Sequence, residues 1–233
     1  MVFYDKNGNI HTYNIEENSY IDKGLKAKIY RISDTECIKV LNCDPINYFD
    51  EEVYNEIKSL SLNGLVKLGI PFYTSGMLKD YTMEYLEKSK SSILDMPTEY
   101  TLDNINSLYK SLNVLADNSI LVQDLIERNL IVGNSKVTLI DLDNYKKSNL
   151  SKTDILYKNT WYLLFAFKRL YQAELIAKGY DLDDLDTFLN GDMTLNENLT
   201  YLFDYNGYKE EPAKVLEKEF KGTKTPMELF TKK

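Results

Sequence analysis

Apolar residues recur at every second position early in the chain and at helical spacing from about residue 102 onward. A strand sends successive side chains to opposite faces, whereas a helix repeats every 3.6 residues, so the two periods demand different elements. Strands come first and helices follow, which specifies an α+β fold rather than an alternating βα one. The division of labour is β-rich with one helix, then helix-rich with one small β insertion.

The segments follow from that rule. VFYDKNGNIHTY carries apolar flanks around Asn7-Gly8, a strong hairpin signal. AKIYRI (27–32) and ECIKVL (36–41) alternate around Ser33-Asp34 and form a second hairpin. Residues 47–62 switch to helical spacing, with Phe49, Val53, Ile57 and Leu60 on one face. Asp50, Glu51 and Glu52 sit in its first turn, where the helix dipole favours acids. Residues 66–86 hold two more strand-like pieces, broken by Gly, Pro and Ser. The polar KSKSSI marks the boundary between lobes, giving residues 1–87 and 88–233. Beyond it, Ile105, Leu108, Leu112 and Leu115 make a helical stripe. LIV and VTLI are short strands, and TDILYKNTWYLLFAFKRLYQAELIAKGY is a long apolar helix expected at the centre of its lobe. DLDDLDTFL, NENLTYLF and PAKVLEKEF read as shorter helices, with Pro212 in a first turn.

Charge and composition remove several function classes. The 233 residues carry a net charge of −8, against the basic face that nucleic-acid binding needs. The same balance disfavours an anionic membrane surface. No apolar run approaches the ~20 residues of a membrane span. MVFYDKNGNI has neither a basic region nor a long apolar core, so a cytoplasmic location, or delivery as an effector, is expected. His11 is the single histidine, which excludes a histidine-based triad, and Cys37 and Cys43 lack a metal-ligand spacing. Any chemistry must come from carboxylates, lysine, amides and backbone.

Lys39 lies within the apolar strand ECIKVL, and Glu56 is next to the stripe residue Ile57. Both pointing inward, they would need each other, because an unpaired buried charge is costly. Downstream, Asp124 and Asn129 are five apart, and Asp141, Asp143 and Asn144 follow the strand VTLI. These acids are either turn formers or holders of a metal and a phosphate.

In order and spacing this array resembles the protein kinase-like superfamily, and a small, atypical bacterial or effector-type Ser/Thr kinase within it. GLKAKIY resembles a shortened glycine-rich loop, with Gly24 its one glycine and Ile29 the apolar residue after it. ECIKV resembles the strand whose lysine holds the α- and β-phosphates, here Lys39, with Cys37 above the adenine. YNEIKSL resembles the helix whose glutamate pairs with that lysine, here Glu56. YTMEYLE resembles the hinge at 83–87, with Met83 as gatekeeper and the backbone of Glu84 and Leu86 at the adenine edge. VQDLIERN resembles the catalytic loop, with Asp124 for the attacking hydroxyl and Asn129 for magnesium. Ile131 would line the nucleotide site, and DLD resembles the metal-binding turn, with Asp141 as the principal ligand.

The departures are specific. Val122 and Gln123 replace the histidine and arginine before Asp124, and Leu142 and Asp143 replace the phenylalanine and glycine after Asp141. Ile126 stands where a lysine is usual, and Arg128 could supply that charge. Asp143 and Asn144 are read as turn formers. KNTWYLL resembles the central helix, with Asn159 in place of an aspartate that anchors the catalytic loop. The stretch from Asp141 to Asn159 is too short for a long activation loop.

The resemblance thus implies a bilobal fold, with a β-rich N-lobe containing one helix and a mainly helical C-lobe. It implies a phosphotransferase using ATP and Mg2+ to phosphorylate a hydroxyl on a protein or small molecule, with a protein activator as a further partner. Two alternatives stand beside it: a pseudokinase that binds nucleotide or acts as a scaffold, and a small-molecule kinase of the same fold.

Overall fold

The computed structural model describes residues 1–15, 20–23, 27–42, 49–87, 91–182, 194–205 and 210–231. Gly24, Cys43 and most of DLDDLDTFL fall outside the described residues. Among those described, the protein is mixed α+β, with a five-stranded antiparallel sheet and six helices. No described helix is long and apolar enough to cross a membrane. The chain separates into two compact units. The first comprises Met1–Leu62, Val66–Glu87 and Asp141–Lys147; the second comprises Asn63–Leu65, Lys88–Ile140 and Ser148–Lys233. The seven residues from Asp141 to Lys147 therefore leave the helical half and cluster with the strands.

The first unit begins with the hairpin β1 (Val2–Tyr4) and β2 (Ile10–Thr12), whose register pairs Phe3 with His11. Gly8 takes φ +79° in the turn, a conformation open to glycine without a Cβ clash. Asp5 closes the turn by accepting the N–H groups of Asn7 and Asn9, each at 2.9 Å. The main sheet holds β3 (Tyr20–Lys23), β4 (Ala27–Arg31), β5 (Glu36–Leu41), β6 (Leu68–Thr74) and β7 (Met77–Glu84). Their order is β3-β4-β5-β7-β6. Pro71 lies in β6, at the sheet edge, where a missing N–H donor is tolerated. β5 has a neighbour on both sides, and Cys37, Ile38 and Lys39 are paired with both, which fixes the direction of their side chains.

Two aromatic groups fill this unit. Phe3 stacks on Phe72 with centroids 4.9 Å apart, beside Ile38 of β5. Phe49, Tyr54 and Tyr81 form a triangle of edge-to-face contacts. The helix α1 (Glu51–Ser59) begins where Asp50 caps it, accepting from the N–H groups of Glu52 and Val53. Its buried residues, Val53, Tyr54 and Ile57, recur at helical spacing, and Glu56 is carried beside them.

The second unit is built on α2 (Thr98–Asp117), whose stripe residues Ile105, Leu108, Leu112 and Leu115 have no exposed surface. Short strands follow: β8 (Ile120–Leu121), β9 (Leu130–Val132) and β10 (Val137–Leu139), the last two antiparallel. α3 (Lys152–Ala177) packs against α2 and against α4 (Leu195–Phe203), and α5 (Pro212–Glu219) packs on α2. α6 (Met227–Thr231) ends the described chain. Thr194 and Glu197 cap α4 reciprocally, and Pro212 occupies the first turn of α5.

The long helix departs from the all-round burial that its apolar content suggests. Leu163, Leu164, Phe167 and Leu175 are buried, whereas Tyr157, Trp161 and Phe165 stand exposed at four-residue spacing. α2 and α4 cover one side of α3, and Trp161 and Phe165 stack on each other on the other, 5.3 Å apart.

Candidate functional site

Lys39 is where the chemistry of the first unit concentrates. It sits on β5, opposite Ile29 of β4 on one side and Tyr81 of β7 on the other. Its side chain is 7% exposed, too little for water to solvate the ammonium. Partners must come from the protein, and they come from the turn after β10. Asp141 accepts from the Lys39 Nζ, and Asp143 accepts from the same atom at 2.5 Å. Tyr81 donates its phenol to the other oxygen of Asp143. Burial alone would depress the Lys39 pKa, but the Asp143 and Asp141 carboxylates outweigh it and hold the ammonium charged, above the ordinary lysine value. Burial first, then the Asp143 charge, push the Tyr81 phenol well above the usual tyrosine range, so it remains a donor.

The expected Lys39–Glu56 pair is not formed. Glu56 is instead paired with Lys147, which also approaches Glu52 at 3.9 Å. The physical reason is supply: two carboxylates already neutralise Lys39, and a third acid would meet their charge. Reading Asp143 as a turn former accounts for its backbone and not for its side chain. It belongs to a 3-10 turn, Leu142–Asn144, but its side chain is the second ligand of Lys39. Leu142 between the two acids is buried, which fixes the alternation that sends both carboxylates to one lysine. Asp141 itself has φ +64°, a left-handed conformation that aspartate tolerates better than most residues.

The remaining residues expected near a nucleotide in this unit line β4, β5 and β7. Ile29 is half-buried, and Cys37 and Met83 are buried and directly opposed in register. Burial pushes the Cys37 thiol up to about 12, so it is an inert apolar neighbour. The Glu84 N–H is given to the Lys67 carbonyl at 2.9 Å, and the weak Cys37 S–H reaches the Glu84 carbonyl. Leu86 follows β7 and is half-buried.

In the second unit, Asp124 is exposed and left-handed at φ +59°. Asn129 is buried, and its Nδ2 donates to the Asp124 carbonyl at 2.8 Å. That commits the donor end of the amide and leaves its oxygen as the end able to ligate. The Asn129 carbonyl in turn accepts from the Ile140 N–H at 2.9 Å, immediately before Asp141. Asn159 of α3, with no exposed surface, accepts from the Val122 N–H and donates to the Ile120 carbonyl. One side chain thereby satisfies both backbone groups flanking Leu121. Arg128 is exposed on the 3-10 turn Glu127–Asn129, and Ile131 is half-buried on β9.

Among the described residues, no three His, Cys, Asp or Glu side chains converge as a metal site. Asp141 and Asp143 bring two hard-oxygen carboxylates together at Lys39, the donor type that a divalent cation such as Mg2+ would take. No known protein-family model matches this chain, and comparison with curated proteins finds no match.

No motif marks Tyr81 or Lys147, and the reading of Asp143 favours a turn former over a metal or phosphate holder. The signal for Asp143 was its D-x-D spacing, and for Tyr81 the strand alternation that sets it across from Lys39. Nothing local to Lys147 marks it as the partner of Glu56.

Proposed function

We propose that this chain is a kinase-like phosphotransferase, bilobal in organisation, that moves the γ-phosphoryl group of Mg-ATP to a hydroxyl. The observation that carries the reading is the charged, buried Lys39 of the central strand, held by two carboxylates from a turn about a hundred residues away. A stability-driven core has little use for such a lysine, since buried ion pairs are seldom better than apolar packing. A phosphate site does need a preorganised cation beside hard-oxygen ligands.

In this reading Lys39 binds nucleotide phosphate oxygens, and Ile29, Cys37, Met83, Leu86 and Ile131 provide the apolar surroundings of the base. Asp141 and Asp143 would hold Mg2+, for which the kinase resemblance also names Asn129, and the ion would supply charge neutralisation when bound. Asp124 orients the acceptor hydroxyl and takes its proton as the oxygen bonds to the γ-phosphorus and the bond to ADP breaks. Arg128 contributes positive charge near the transferred group. The acceptor is a protein or a small molecule, and a protein activator remains part of the proposal.

A second reading is nucleotide binding without transfer, as in a pseudokinase. The Glu56–Lys147 pair favours it, because Glu56 is engaged away from Lys39. A melting experiment with Mg-ATP tests what the two readings share. At a hundredfold excess over Kd, ligand stabilises by about 2.7 kcal/mol. The wild type should gain stability and Lys39→Met should not; an equal response from both would contradict the assignment.

A further inference from the structure

We propose that Asp143 and Tyr81 are positioning residues that set the availability of Lys39, an inference that rests on the nucleotide reading above. Three contacts carry it. Tyr81 donates to one oxygen of Asp143, the other oxygen accepts from Lys39, and Asp141 accepts from the same ammonium. The Tyr81 ring cannot move away easily, because Phe49 and Tyr54 pack against its face and edge in the interior of the unit. Its hydroxyl therefore fixes the orientation of the Asp143 carboxylate, and Asp143 fixes the ammonium. Cross-strand pairing sets Tyr81 directly opposite Lys39, so donor, carboxylate and lysine form one closed group.

The consequence is competition. Lys39 has one ammonium with three hydrogens, and two of them are given to carboxylates. A nucleotide phosphate must draw the ammonium from that pair, and it approaches two negative charges as it does so. Without a divalent cation the carboxylates retain Lys39 and repel the phosphate. With Asp141 and Asp143 neutralised by a cation, Lys39 is released. The side chain of Asp143 thus makes nucleotide affinity depend on the cation more steeply than Asp141 alone would.

Calorimetric titration of the full chain with ADP, in EDTA and then in Mg2+, reads this directly. The quantity is the ratio of the two dissociation constants. Asp143→Asn should tighten ADP binding in EDTA by roughly tenfold, the equivalent of one charge-assisted hydrogen bond, and shrink the ratio accordingly. Asp143→Glu, which keeps the charge, should restore cation dependence. Tyr81→Phe keeps the ring packing, frees the carboxylate to turn, and should shrink the ratio by a smaller factor. It also serves if Asp143→Asn does not fold. Binding with the wild-type ratio in Asp143→Asn and Tyr81→Phe, or weaker binding in EDTA, would overturn the positioning role alone. A wild type that binds ADP in neither condition would overturn the nucleotide reading itself, and this inference with it.

Discussion

Lys39 and Asp143, 104 residues apart in the chain, are joined by an ion pair of 2.5 Å. Replacing Lys39 with Met keeps a similar stem and leaves Asp141 and Asp143 facing each other without a cation. Fully buried pairs broken in this way cost about 3–5 kcal/mol. Asp141 is 33% exposed, so solvent screening reduces the loss here to about 2 kcal/mol. Urea unfolding of Lys39→Met should show a lower midpoint with an unchanged slope; a midpoint equal to the wild type would refute the pairing.

Asn159 is the most demanding position of the second unit. Asn159→Leu keeps the volume but strands the Val122 N–H and the Ile120 carbonyl in the interior. At about 1–3 kcal/mol per unsatisfied group, the loss for the two groups is about 2–6 kcal/mol. Hydrogen exchange should show the Val122 amide losing protection before the amides of α2 do.

Tyr145 makes the opposite case. Its hydroxyl is buried and has no hydrogen-bond partner among the described residues. Tyr145→Phe removes an unsatisfied polar atom and no bond, so stability should hold or rise by about 1 kcal/mol. A lower melting temperature for this variant would mean that the hydroxyl is in fact used.

The first turn responds to acid in a set direction. The Asn9 side-chain amide and the Asn9 and Asn7 N–H groups hold the Asp5 carboxyl down at about 2, below its ordinary 3.8. A depressed carboxyl contributes stability above its unfolded value and loses it as pH falls through the folded one. Amide shifts of Asn7 and Asn9 should therefore hold steady down to pH 3.8 and move as pH approaches about 2. Asp5→Asn should abolish that transition.

The parts of this fold legible in the sequence are those governed by local rules. Asn7-Gly8 marks a turn because glycine reaches positive φ, and the Ile105–Leu115 stripe marks a helix because its period matches. Both depend on residues a few positions apart. The Asp141–Asp143 grip on Lys39 depends on tertiary placement, which no local period encodes. Motif reasoning selected Lys39 and Asp141 individually but gave Lys39 the wrong partner, Glu56, since helix periodicity places Glu56 near the core without saying which cation it meets. The exposed Trp161 and Phe165 were hidden for a related reason: apolar content does not show which faces of a helix find neighbours.

Lys39, Asp124 and Asp141 are proposed to serve phosphoryl transfer. The direct measurement is incorporation of labelled γ-phosphate from Mg-ATP into the chain itself or into a pooled extract of proteins and metabolites. Wild type is compared with Lys39→Met, Asp124→Asn and Asp141→Asn, each shown to be folded. Transfer by the wild type and a loss of at least about a hundredfold, the scale of a general acid–base group, in each variant is the predicted result. Equal incorporation by wild type and Asp141→Asn, or none by the wild type, would contradict a role for these residues in phosphoryl transfer.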